Sequence, residues 1–210
     1  MRLLKTAPGE YYHIFNRGMH KQKIFNDQSD YLRFLFQILH FQSPKTFTNI
    51  TEDAKKFKVA FSNNKHSGFI NLKVVNEICQ KRGVDLISFC FMPNHFHLIV
   101  KEMSGGGVPM YLQRTQNGFT KYLNTRNQTS GHVLQGPYRI VHIQNNDQLL
   151  CTSAYVHRNC CELKRWTKTP EKYPWSSYQD YVGKNRWSGL LATNDLLEQF
   201  SNPAEYDQWV

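Results

Sequence analysis

The chain has 210 residues, enough for one sizeable domain with appendages, and no run approaches the roughly 18 apolar residues that a membrane helix needs. Its start, "MRLLKTAPGEYY", lacks the apolar core and cleavage site of a signal peptide, so no membrane partner and a cytoplasmic location are expected. A net charge of +10 and a pI near 9.4 point to nucleic acid, with 14% aromatic residues on which bases can stack.

In chain order, "YYHIFN" (11–16) predicts a strand, followed by a Gly turn and a basic segment. "DQSDYLRFLFQILHFQ" spaces Leu32, Leu35, Phe36 and Leu39 as a helix, with Asp27 or Ser29 as its cap. Residues 41–70 are polar and irregular and read as an insertion or mobile excursion with one short helix over 52–57. "NLKVVNEICQKRG" predicts a helix ending at Gly83. "VDLISFCF" and "HFHLIVKE", separated by Met92, Pro93 and Asn94, predict a hairpin. "SGGG" (104–107) reads as a flexible hinge, and without a following GK[ST] it is no phosphate loop. An amphipathic helix over 108–126, a strand over 138–144 and a helix over 147–166 follow, then an aromatic, turn-rich tail with a last short helix near 194–199. The order βαββαβ is that of a ferredoxin-like α+β fold: an antiparallel sheet with helices on one face, plus a C-terminal helix. The expected division is a domain over 1–185, with the insertion at 41–70, and a tail over 186–210.

The five cysteines, Cys79, Cys90, Cys151, Cys160 and Cys161, are an odd set without a CxxC pair and read as reduced apolar fillers. Chemistry concentrates in "FMPNHFHLIV", residues 91–100. Residues i and i+2 of a strand share a face, so His95 and His97 project together and can grip one divalent cation. An HxH on a strand is by itself a weak signal, since two hydrogen-bonded histidines give the same pattern. On the late helix Tyr155 and Asn159 stand at i and i+4, on one face. Packed over the sheet, they would bring a nucleophilic oxygen and a neutral oxygen ligand to the histidine pair. A phenol is a poor nucleophile at its free pKa of about 10, yet suits attack on a phosphate whose charge a cation draws off.

"FMPNHFHLIV" resembles the His–apolar–His (HUH) motif of single-tyrosine transposases. The likeness extends to "YHIFNRG" (12–18), "GFTKYLNTRNQTSGHVLQGPYRIVHI" (118–143), "YVHRN" (155–159) and "YPWSSYQDYVG" (173–183), and together these are similar to the REP-associated tyrosine transposases, a branch of the insertion-sequence HUH transposases. The resemblance implies a ferredoxin-like fold with the histidines on a central strand, Tyr155 as nucleophile and His95, His97 and Asn159 as ligands of Mg2+ or Mn2+. It implies nicking and rejoining of single-stranded or hairpin DNA through a 5′-phosphotyrosine, leaving a free 3′-OH. Where relatives continue "NPVRAG", this chain has "NCCELKRW", which predicts that the helix runs on. With one catalytic tyrosine, strand transfer needs a second subunit in a homodimer or a second cleavage at the same site.

For DNA contacts, Arg114 and Lys121 lie seven apart on one helix face, Arg17, Lys21 and Lys23 follow the first strand, and Arg126 and Arg139 flank "SGHVLQG". Tyr122 reads as packing or a DNA contact and the other tyrosines as packing, His132 and His157 as surface or helper residues, and His13 and His142 as strand histidines without a role. Two other functions fit the same fold: a relaxase or replication initiator, which usually needs a longer chain, and a catalytically silent DNA- or RNA-binding protein.

Overall fold

The computed structural model describes residues 4–44, 49–62 and 72–210. Strands β1 (Tyr11–Arg17), β2 (Val84–Met92), β3 (His95–Glu102) and β4 (Arg139–Ile143) form one sheet in the order β2-β3-β1-β4. Every pairing in it is antiparallel, which is the ferredoxin-like arrangement. β2 is buried along its whole length and β3 along most of it because both faces are covered. The tight two-residue connection at Pro93 and Asn94 makes them a hairpin, as their spacing predicts.

Between β1 and β2 lie α1 (Gln28–His40), α2 (Ile50–Ser62) and α3 (Leu72–Lys81). Asp27 caps α1, accepting from the Ser29 and Asp30 amides. α4 (Gly107–Asn127) packs beside α1 on one sheet face, where Phe25, Phe34, Phe91, Phe96 and Phe119 interlock. α5 (Asn146–Arg158) follows β4 and packs against β2, β3 and β4. The short helices α6 (Tyr178–Val182), α7 (Asn194–Leu197) and α8 (Pro203–Trp209) close the described chain. No helix among the described residues is long and apolar enough to cross a membrane.

Four expectations need correction. The segment after α1 is not a polar excursion: Phe41, Gln42 and Ser43 are buried, and α2 is a 13-residue helix rather than a short one over 52–57. Phe57 anchors α2 in the core against Phe36, His40 and Trp187, a contact no local pattern reveals. The stretches 45–48 and 63–71, part of the expected insertion, lie outside the described residues. "SGGG" is a packed corner rather than a hinge: a Cβ on Gly107 would lie 2.1 Å from the Gly83 carbonyl oxygen, and the Gly107 amide donates to buried Glu102. The late helix does not run on to 166 but ends at Arg158 and tightens into a 3-10 turn over Asn159–Glu162. Finally, α8 was not foreseen, and residues of the 186–210 stretch (Trp187, Leu190, Leu191, Leu196 and Tyr206) are buried in the common core.

The segment from Tyr173 onward closes the free edge of β2. The Phe91 amide donates to the Trp175 carbonyl, the Ser177 amide to Phe89, and the Ala192 amide to Leu86. Tyr173 and Tyr181 add hydroxyl bonds to the Phe91 and Ile87 carbonyls. Asp180, fully buried, ties this segment together by accepting from Arg186 and from the Trp187 indole.

Candidate active site

The face of the sheet opposite α1 and α4 carries the histidines. In the register β1–β3, Arg17 stands opposite His95, Phe15 opposite His97 and His13 opposite Ile99, so these side chains share one face. α5 lies over that face. It places the Tyr155 ring edge-on to His97 with centroids 5.4 Å apart, and edge-on to His13 at 5.9 Å. Tyr155 is 53% exposed, so its ring rests on the imidazoles while the residue stays open to a macromolecular substrate. The switch to a 3-10 turn keeps Asn159 on the same side, and its Oδ1 lies 3.0 Å from His95 Nε2. The four residues expected to form the site thus meet.

Burial makes the imidazoles neutral. It lowers the His97 pKa to about 3, helped by the neighbouring His13 and His95 rings, and that of His13 to about 4. His95 is lowered too, mainly by burial, with Arg17 adding to the effect and Asn159 and Glu162 opposing it. Neutral imidazole is the ligating form.

The hydrogen-bond geometry around His95 fits a cation. Its Nδ1 lies 2.7 Å from Asn94 Oδ1, an acceptor that takes the ring proton. A neutral ring has one proton for two acceptor oxygens, so with Nδ1–H on Asn94 the Nε2 lone pair would face Asn159 Oδ1 at 3.0 Å. That is the spacing of two adjacent ligands at right angles, each about 2.1 Å from one ion. Among the described residues no three His, Cys, Asp or Glu side chains cluster closely enough to hold an ion by themselves; a set built here would draw on the amide oxygen of Asn159 as well.

The basic residues divide. Arg17 and Arg139 are exposed at the histidine face, Arg17 beside His95 and Arg139 opposite Phe15 on β4. Lys21 and Lys23 are exposed beside the β2–β3 turn, where Asn94 donates to the Lys21 carbonyl and the Ile24 amide to Pro93. Gly18 allows this close passage, since a Cβ there would lie 2.2 Å from the Gln22 carbonyl oxygen. Lys121 is exposed along an open groove of about 630 Å³ with Asn117, Asn124 and Gln128. Arg114 and Arg126 are engaged within the chain. Arg114 donates to the Ser43 carbonyl and lies over the Phe41 ring, while Arg126 pairs with Asp27 and Asp30.

Two histidines differ from their reading in the sequence, His13 without a role and His157 as a surface or helper residue. His13 Nε2 shares a hydrogen bond of 2.9 Å with His97 Nδ1, and the two rings stack; only the β1–β3 register reveals this. His157 is not at the surface but fully buried, between the Ser177 and Tyr206 hydroxyls.

A family model described as "Transposase IS200 like" matches residues 58–159, a span that contains His95, His97, Tyr155 and Asn159. No curated protein matches the sequence significantly. Among solved structures, that of a REP-associated tyrosine transposase bound to a REP hairpin is similar in fold, with a TM-score of 0.55 and 13% identity, covering 91% of this chain and 90% of that one. The likeness read from the histidine and tyrosine motifs is borne out: the stretch that carries them is similar to the IS200-like transposases.

Proposed function

We propose that the protein nicks and rejoins single-stranded DNA with a hairpin nearby, using Tyr155 as nucleophile. The observation that carries this reading is the convergence of an exposed tyrosine, two neutral imidazoles and an amide oxygen on one sheet face. The Tyr155 phenol oxygen attacks a backbone phosphorus, a P–O(Tyr) bond forms and the bond to the 3′ oxygen breaks. The phenol loses its proton, the departing oxygen gains one as 3′-OH, and the 5′-phosphate remains on the tyrosine. Reversal by another 3′-OH rejoins a strand, with the diester's energy conserved. His95, His97 and Asn159 would hold Mg2+ or Mn2+. Such an ion supplies charge neutralisation at the phosphate oxygens. Imidazole suits manganese better than magnesium. Arg17, Lys21, Lys23 and Arg139 surround the histidine end and position the strand through its phosphates, with Lys121 as a more distant contact.

The test is a denaturing gel of the protein with end-labelled single-stranded DNA bearing a hairpin, with Mn2+ or with chelator. A retarded covalent band is expected with Mn2+ only, and it should disappear in Tyr155→Phe while that variant still shifts the DNA on a native gel. Shortened DNA without an adduct would instead mean hydrolysis by water. Binding without cleavage across a panel of hairpins would support the silent DNA-binding reading.

A further inference from the structure

Each imidazole of the site has its far nitrogen held by a second group. His95 Nδ1 meets Asn94 Oδ1 at 2.7 Å, and His97 Nδ1 meets His13 Nε2 at 2.9 Å. The two arrangements are parallel, since in both the held atom is Nδ1. His95 faces a carboxamide oxygen at each nitrogen, and its one proton sits on the shorter contact, to Asn94, when Nε2 is left to ligate. For His97 two directions exist. If His13 donated, His97 would carry its remaining proton on Nε2 and could not ligate. If His97 Nδ1–H donates, its Nε2 lone pair is free, and no protein group among the described residues bonds that atom. His13 is itself fixed, with its ring stacked on His97 and packed against Phe15 and the edge of Tyr155.

We propose that His13 is a positioning residue that accepts the Nδ1 proton of His97, and so holds His97 in the tautomer whose Nε2 can bind a cation. This rests on the proposed metal-assisted reading of the site. Asn94 does the same for His95 from within the hairpin turn, whereas His13 acts from a neighbouring strand some 80 residues earlier in sequence. Such outer partners set ring orientation and tautomer, and their loss typically costs 10- to 100-fold in metal affinity.

The test uses the full chain and Mn2+ alone, without DNA. Free Mn2+ is counted by electron paramagnetic resonance during titration of wild type, His13→Phe and His13→Gln. Phe keeps the ring packing but cannot accept a proton. Gln carries an acceptor oxygen at the reach of Nε2. His13→Phe should bind Mn2+ roughly 10- to 100-fold more weakly, and His13→Gln should recover most of that loss. Hairpin binding in chelator should be the same for all three. In parallel, the imidazole nitrogen shifts of the metal-free wild type should show His97 protonated on Nδ1. Equal Mn2+ affinity of wild type and His13→Phe overturns the proposal, and so does a His97 proton found on Nε2. A wild type that takes up no Mn2+ would instead defeat the metal-assisted reading, while the nitrogen shifts would still decide the role of His13.

Discussion

His157 stands two residues past Tyr155 and is buried where Tyr155 is exposed. Its Nε2 meets the Ser177 hydroxyl and its Nδ1 the Tyr206 hydroxyl, both at 2.8 Å, so one ring joins α5 to α8 and to the segment along β2. Burial lowers its pKa to about 3. The folded value is below the ordinary 6.5 of an unfolded chain, so this stability is present above about pH 6.5 and fades as the pH falls. Each unit is worth about 1.4 kcal/mol, so roughly 2 kcal/mol is lost from this residue by pH 5. His40, buried and lowered to about 4, acts in the same direction. The thermal midpoint should therefore fall between pH 7 and 5, and less steeply in His157→Gln, which starts from a lower value. Equal slopes would show that His157 is not held neutral. At this scale the sequence was legible where the pattern was local. His95, His97, Tyr155 and Asn159 are two and four apart, and spacing alone places each pair on a common face. His13 was not legible, because a strand histidine beside a site looks the same as one at an edge, such as His142, which pairs with Glu10.

Among the elements, the union of α1 and α4 gives a basic residue partners that its own segment does not reveal. Arg126 lies in the last turn of α4 and reaches both Asp27, the cap of α1, and buried Asp30, which also receives the Tyr122 hydroxyl. Nothing within 118–143 predicts partners 96 and 99 residues earlier. Arg126→Ala should lower stability by about 1–3 kcal/mol in urea titration and leave hairpin affinity within twofold of wild type. A large loss of affinity with unchanged stability would return this residue to the DNA interface. The end of α5 was misjudged for a related reason. "NCCELKRW" lacks a helix breaker, yet Cys160 and Leu163 are drawn inward, and the Cys160 thiol lies against the His157 and Pro170 carbonyls. Tertiary packing stops the helix where local propensity would let it continue.

For the whole molecule, the charge of +10 is not spread evenly over the functional face. Arg17, Lys21, Lys23 and Arg139 gather at the histidine end of the sheet, so binding of single strands should weaken steeply with salt. Lys21→Ala should flatten the slope of log K against log salt by about 0.7, the value for one phosphate contact on a single strand, and reduce affinity uniformly across sequences. An unchanged slope would remove Lys21 from the interface.

The seal on β2 has a consequence in time. β2 and β3 can zip together as soon as both have left the ribosome, but the bonds that close β2's outer edge come from residues 175, 177 and 192, made long afterwards. Until then the newborn chain carries a nine-residue, mostly apolar strand with one side unpaired, a template on which two nascent copies can join. A chain stopped before Tyr173 should accumulate as soluble aggregates in size-exclusion chromatography, whereas one stopped after Val182, with most of the edge bonded, should give far less. The segment made later therefore serves as a built-in chaperone for the strand made earlier, and an open β2 edge is a hazard of the protein's youth.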